Sequence, residues 1–558
     1  MKNWKYIIAI LVLVVGVVAA VAARNPSETS QFKRFLKEHE ARVRDLSREC
    51  NLAYFNASIS GNDEDYEKVI DLEIKLDRIY ADKEDFDELK AFNESKSIKD
   101  PLLKRQLDLL YLAYLGNQVD PQKMEAITRL QNKVEQTFST YRADVGGRKL
   151  TDNELKEVLK TSNNNQELEE AWLGSKQIGQ EVAGDVLKLV KMRNKTARDL
   201  GFKNYHEMQL RLAEQDPDEV ETLFDELDRL TGDAYAKEKA DMDKVLAERY
   251  GVSQDDLKPW HYTDPFFQEA PQLTDIDLDQ YYADQNLPAV TRKFYAGLGM
   301  PINDLMKKSD LYEKPGKNQH AYCTDIDRNG DTRVVANVKP NSYWMDTMLH
   351  EFGHAAYFKY IDRDLPWLLR EPAHTMTTEA VAMMFGRLDS DPVWMGEMTG
   401  LRPEEQTRIQ EACQKQSRAD ALVFSRWSQV MYRFEKSMYE NPDQDLNKLW
   451  WNLVEQYQLV KMPEGRDQPD WAAKIHIATA PAYYHNYLIA DLYASQLSHH
   501  IRTRVLAPDG DYNSDPRIGE YLKKEVFEPG DRYPWDELVK RSTGEALTAK
   551  YYSQEFAQ

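Results

Sequence analysis

His350-Glu351-Phe352-Gly353-His354 restricts what this chain can build more than any other segment. The flanking stretches 343–349 and 355–360 carry helical patterning, so the motif predicts two imidazoles four residues apart on one face of a helix, about one turn from each other. Two such side chains can meet one metal ion. Glu351 then points to the side where a water molecule would sit, an arrangement suited to zinc-dependent hydrolysis with Glu351 as general base. The competing reading is two histidines capping a buried helix. With only 11 histidines in 558 residues, the pattern seldom arises by chance.

A catalytic zinc site needs a third protein ligand and an open position. The next helix is expected to start near Thr377, and Glu379 lies in its first turns, followed by Ala380, Val381, Ala382, Met383 and Met384. A carboxylate is costly to bury among apolar residues unless it has a partner, and a metal ion supplies one. His350, His354 and Glu379 are therefore the expected ligands of one Zn2+ per chain. Glu371 and His374, in the loop-like stretch 370–375, are rivals for the third place, and a structural ion pair is the alternative for Glu379.

A net charge of -21 leaves no basic excess to neutralise phosphates, which argues against a nucleic-acid partner. Hydrophobic content of 42% with 31 Tyr and 11 Trp belongs to a folded chain. Lys2 and Lys5 precede an apolar run over 6–23 that ends in small residues before Arg24, the pattern of an export signal. At 18 residues the run stands between a cleavable signal peptide and an uncleaved N-terminal membrane anchor. Either way the body of the chain is expected outside the cytoplasm, periplasmic or secreted, with membrane attachment through this segment left open. Cys50, Cys323 and Cys413 cannot form a disulfide framework and read as ordinary thiols.

From Ser30 to about Tyr250 the pattern is helical almost throughout, and Thr151-Asp-Asn-Glu154 reads as a capping box. Between Trp260 and Pro340 helical periodicity fades. There Asn329-Gly330 separates two β-rich runs and predicts a hairpin. The acidic run Asp325-Ile-Asp327-Arg-Asn329-Gly330-Asp331 imitates a calcium loop, but Ala336 at its twelfth position cannot supply the bidentate carboxylate, so it reads as the hairpin turn. No internal repeat or low-complexity linker divides residues 24–558, which reads as one catalytic domain after the export segment.

These residues together resemble the angiotensin-converting-enzyme family of zinc peptidyl-dipeptidases, in a bacterial-looking form. The likeness rests on Leu46-Ser-Arg-Glu-Cys-Asn-Leu-Ala-Tyr-Phe-Asn-Ala, His320-Ala-Tyr-Cys, the zinc motif itself and Leu368-Leu-Arg-Glu. Further matches are Arg426-Trp-Ser-Gln-Val-Met-Tyr-Arg-Phe-Glu, Trp450-Trp-Asn-Leu with Tyr457-Gln, and Lys474-Ile-His-Ile477. The resemblance implies a mostly α, two-lobed helical zincin of the gluzincin type, with a small hairpin beside a deep central substrate channel.

It also implies roles for further residues. His320 and Ala321 correspond to substrate-backbone contacts on an edge strand, where an extended peptide can add by β-augmentation. His476 corresponds to a hydrogen-bond donor to the tetrahedral intermediate, and Lys474 to the binder of the substrate's C-terminal carboxylate. With one residue inserted after His476, Tyr484 becomes a second carboxylate binder and Tyr487 the oxyanion donor. Counting without the insertion points to Tyr483 instead.

The chain departs from the family pattern at several places. The His354 to Glu379 spacing is one residue long, and Met383 stands where an aspartate is usual. Val454 and His485-Asn486 occupy positions expected to hold chloride-binding arginines. The family's glutamine contact near Trp260-His-Tyr262 is not placed. The expected activity is release of C-terminal dipeptides from oligopeptides. The alternatives are a thimet-like oligoendopeptidase and a non-catalytic binding protein on the same fold.

Overall fold

Helix starts along the chain are fixed by side chains that capture free backbone N–H groups. Thr151 and Glu154 form the expected capping box: the Glu154 N–H donates to Thr151 Oγ1 at 3.2 Å and the Thr151 N–H to Glu154 Oε2 at 2.7 Å. Asn341 caps the zinc-motif helix, its Oδ1 accepting from the Trp344 N–H at 3.0 Å. The computed structural model describes residues 27–506 and 510–558, so the export segment expected over 1–23 lies outside the described residues. Among the described residues no helix is long and apolar enough to cross a membrane.

The architecture is mostly α, as expected, with two two-stranded antiparallel sheets among the described residues. One of them, Ala143–Val145 with Arg148–Leu150, falls inside the stretch read as helical from sequence. Gly146 and Gly147 both adopt positive φ, 59° and 80°, and close this hairpin with the left-handed turn that such strands require. The glycine pair was its only local signal.

The other hairpin is the one expected, Tyr322–Asp325 with Thr332–Val335, Tyr322 opposite Val335 and Asp325 opposite Thr332. Its connecting loop consumes the acidic side chains that imitate a calcium loop. Asp325 Oδ1 accepts from the Asp327 and Arg328 N–H groups, and Asp327 Oδ1 from those of Asn329 and Asp331. A parallel bridge from Asp310 to Val335 covers the far side of the second strand. The first strand has no strand partner on its outer edge among the described residues.

Two large cores organise the helices. The first gathers Met345, Met348 and Phe352 of the motif helix Ser342–Tyr360, Met376 and Val381 of the helix Thr375–Gly386, and C-terminal residues such as Leu488, Val526 and Leu538. The second is rich in indoles: Trp172, Trp427, Trp450, Trp451 and Trp471. The long helix Pro403–Glu440 belongs to both, lending Ile409 and Cys413 to the first and Leu422, Trp427 and Phe434 to the second. At about 1.5–3 kcal/mol per fully buried large apolar side chain, this shared helix ties the two halves together. The N-terminal helix Glu28–Ser60 meets the hairpin through Phe55, which packs with Ile326 and Val335.

Candidate metal centre and substrate wall

The motif helix brings His350 and His354 into register one turn apart, with their Nε2 atoms 3.2 Å from each other and the ring planes at 80°. A second helix must come close to complete the group, and Gly353 lets it. A Cβ at that position would lie 3.0 Å from the Ala382 Cα and 3.3 Å from the Tyr295 hydroxyl. The helix Thr375–Gly386 therefore passes directly over the motif and sets Glu379 Oε2 3.5 Å from His350 Nε2 and 3.9 Å from His354 Nε2. The ligand atoms of all three residues lie within 4.8 Å of one another.

The donor chemistry fits a divalent cation. Burial pushes His350 down to about 4 and His354, beside it, well below the ordinary imidazole value, so both rings are neutral at physiological pH. With neutral rings the contacts to Glu379 are not ion pairs. Burial, together with Asp491, pushes the Glu379 carboxyl up to about 7. Thr378 Oγ1 lies 2.7 Å from His354 Nδ1, and a proton placed on Nδ1 leaves the Nε2 lone pair aimed at His350 and Glu379.

The rivals for the third ligand are used elsewhere. His374 caps the Thr375–Gly386 helix through a hydrogen bond from the Met376 N–H at 3.0 Å, which also starts that helix two residues before the expected Thr377. Glu371 pairs with Arg328 at 2.6 Å. Met383 packs against the first core, and an acid within electrostatic reach of Glu379 comes instead from Asp491 on the helix His485–His500. Beside the three ligands, buried Glu351 has an Oε2 atom without a hydrogen-bond partner. Burial, Glu379 and Asp346 push its carboxyl up to about 8.

The second core supplies another polar cluster. Lys474 ends a short 3-10 turn, and its ammonium donates to Gln268 Oε1 at 2.6 Å while lying 5.3 to 5.6 Å from the ring centres of Trp427, Tyr484 and Phe266. Gln268 was not singled out from the sequence. Asp264 orients it, accepting from both the Gln268 N–H and its side-chain amide. It sits in an aperiodic loop, where no spacing rule marks it.

Tyr484 accepts a hydrogen bond from Trp427 Nε1 at 2.8 Å and faces His476, ring centres 5.1 Å apart. His476 Nδ1 is buried without a partner, and burial, then Lys474, pushes the ring down to about 4. Tyr487 links the two groups. Its ring stands 5.4 Å from that of Tyr484, and Glu379 helps to hold its phenol above the ordinary value. Tyr483 also feels Glu379, and its ring stands 5.4 Å from that of Tyr487. Of the three tyrosines, Tyr484 thus keeps company with Lys474, and Tyr487 and Tyr483 with the metal group.

His320 and Ala321 immediately precede the open-edged strand, His320 exposed and Ala321 half-buried against the first core. The next strand residue but one, Cys323, lies within electrostatic reach of Glu351, so this edge borders the metal group. At the positions expected to carry arginine, Val454 is buried, and His485 and Asn486 both bond to Gln215 at 2.7 Å.

Two comparisons bear on this geometry. The chain is 23% identical over 436 residues to angiotensin-converting enzyme of Bos taurus, a match covering 70% of this chain and 32% of that protein, so it spans about a third of that relative's length. The sequence profile described as angiotensin-converting enzyme matches residues 26–551, nearly the whole described chain, and on that match the protein belongs to the angiotensin-converting enzyme family.

Proposed function

We propose that this protein is an exported zinc peptidase that releases dipeptides from the free C-termini of oligopeptides, with His350, His354 and Glu379 as the zinc ligands. The observation that carries the dipeptide reading is the Lys474, Gln268 and Tyr484 cluster, which Tyr487 links to the metal group. A buried ammonium there suits a carboxylate a short, fixed distance beyond the scissile bond. Export rests on the Lys2, Lys5 and 6–23 pattern.

Bound by the three ligands, zinc supplies Lewis acidity toward a water molecule and a peptide carbonyl. The chain's own residues do the rest. Glu351, with one oxygen free, takes a proton from the attacking water and passes it to the departing amine. Tyr487 and His476 donate to the oxygen on which negative charge develops, each such contact worth about 3 kcal/mol. Lys474, Gln268 and Tyr484 hold the terminal carboxylate, and the backbone at His320 and Ala321 pairs with the extended substrate.

Mass spectrometry of the products from one peptide offered with free and with amidated C-terminus tests the proposal. Dipeptides from the free acid and slow cleavage of the amide are expected. Equal cleavage of both forms into longer fragments would favour an oligoendopeptidase, and no cleavage of either would favour a binding protein.

A further inference from the structure

We infer that Glu435 is a positioning residue for the tyrosine side of the site, acting through the Ala482 backbone. This rests on the reading of Tyr484 and Tyr487 given above. His476 sits on the short helix Ile475–Thr479 and Tyr487 on the helix His485–His500, so a five-residue turn, 480–484, sets where the tyrosines stand relative to His476 and Lys474. Ile477 and Ala478 before the turn and Tyr484 at its end are buried in the second core, whereas Ala482 within it is buried in the first.

Ala482 adopts φ of 55°, the left-handed region, which for an alanine costs about 1–2 kcal/mol. The surroundings must therefore hold it there. Glu435, 2% exposed on the long helix Pro403–Glu440, accepts the Ala482 N–H through Oε1 at 2.9 Å. Arg193, also 2% exposed, donates to the Ala478 carbonyl and to Gln131 Oε1, both at 2.8 Å, and lies within electrostatic reach of Glu435. Gln131 in turn donates to the Thr479 carbonyl at 3.4 Å.

A buried guanidinium and a buried carboxyl, which burial pushes up to about 8, thus come from different helices to the backbone of one short segment, 478–482. Burying such groups is expensive, and an apolar core would stabilise the fold more cheaply. What the arrangement uniquely supplies is a fixed direction for the chain as it leaves His476 for Tyr484 and Tyr487.

The test compares Glu435→Ala, Glu435→Gln, the double variant Glu435→Ala with Ala482→Gly, and Tyr487→Phe, measuring kcat, KM, zinc content and Tm on the whole chain. Small displacements of catalytic groups cost one to two decades in rate, so Glu435→Ala should lower kcat about ten-fold or more with zinc content unchanged. Glu435→Gln still accepts the Ala482 N–H and should return to within about three-fold of native. Glycine adopts the turn without strain, so the double variant should recover part of the loss. If Glu435→Ala does not fold, Glu435→Leu, which keeps the volume, is read in its place.

A fall in Tm with kcat unchanged would overturn the inference, as would Glu435→Gln being as slow as Glu435→Ala. Tyr487→Phe separates the two levels of argument. If it lowers kcat while Glu435→Ala does not, positioning by Glu435 fails alone; if it leaves kcat unchanged, the role given to Tyr487 fails and the inference falls with it.

Discussion

The Lys474 ammonium and the Gln268 carbonyl oxygen are 2.6 Å apart, although 206 residues separate them in sequence. Asp264 takes the other end of the Gln268 amide, so that oxygen is presented to the lysine in a fixed orientation. Around them stand Phe266, Trp427 and Tyr484, whose rings give the ammonium a polarisable wall but no formal counter-charge. A carboxylate entering this corner would complete the lysine's hydrogen bonds.

The corner yields a first prediction. Gln268→Ala removes the fixed oxygen and lets the ammonium wander, so KM for a free-acid peptide should rise by about ten-fold, close to 1.4 kcal/mol. Zinc content should not change. Steady-state kinetics beside metal analysis decide it, and an unchanged KM would remove Gln268 from the substrate wall.

Glu351 gives a second. The purified protein should carry about one zinc per chain. Glu351→Gln removes a base and not a ligand, so this stoichiometry should persist while kcat falls by about two orders of magnitude or more. Loss of zinc from the variant would place Glu351 among the ligands, and near-native turnover would give it another role.

Thr378 tests the metal group without touching a ligand. Its hydroxyl holds His354 Nδ1 at 2.7 Å and thereby the ring's direction. Thr378→Val should weaken zinc binding by about 10- to 100-fold in competition with a chelator. Thr378→Ser, which keeps the hydroxyl, should bind as the native protein does, and equal affinity in all three would show that His354 needs no such support.

That His350, His354 and Glu379 come together could be read from sequence because helical periodicity converts a spacing of four into shared space, and because an acid among apolar residues needs a partner. Both arguments are local. The hairpin was legible for the same reason, since Asn329-Gly330 sets a turn whatever the rest of the chain does. Gln268 was not legible. Its meaning comes from an aperiodic loop meeting a turn 206 residues away. The Ala143–Val145 hairpin was missed because its strands are three residues each, too short for alternation to show against helical flanks. Where Tyr483, Tyr484 and Tyr487 stand was not legible either, because it depends on the direction the chain takes at Ala482, whose φ is 55°.

Chloride should have little effect. Val454 offers no charge, and the side chains of His485 and Asn486 are tied to Gln215. One cation does line the cavity that Val454 borders, Lys176, but its ammonium donates to the Pro265 carbonyl at 2.6 Å and lies over the Phe266 ring. Burial pushes it down to about 7, so it holds only part of a charge at neutral pH. Activity titrated from acetate into chloride at fixed ionic strength should change little. A ten-fold activation, about 1.4 kcal/mol, would show that a lone buried lysine suffices to hold the anion.

The most discriminating prediction uses the titration of Lys474 itself. Burial pushes this ammonium down to about 8, with Lys156 adding to the fall and Asp264, Glu269 and Asp152 opposing it. The charged form that binds a carboxylate is therefore present below about pH 8 and lost as pH rises through that value. For a free-acid peptide kcat/KM, which reports the free enzyme, should fall above about pH 8. An amidated peptide presents no carboxylate, so its poorer kcat/KM should lack that descending limb. Lys474→Met should abolish the difference: the free acid should lose about 2 to 5 kcal/mol of transition-state binding below pH 8, as when a buried charged hydrogen-bond partner is removed, and the amide should lose little. If both peptides share one alkaline limb in the native enzyme, and Lys474→Met leaves it in place, the limb belongs to another group. The terminal carboxylate would then be held elsewhere, and with it the measure that sets the cleavage at two residues.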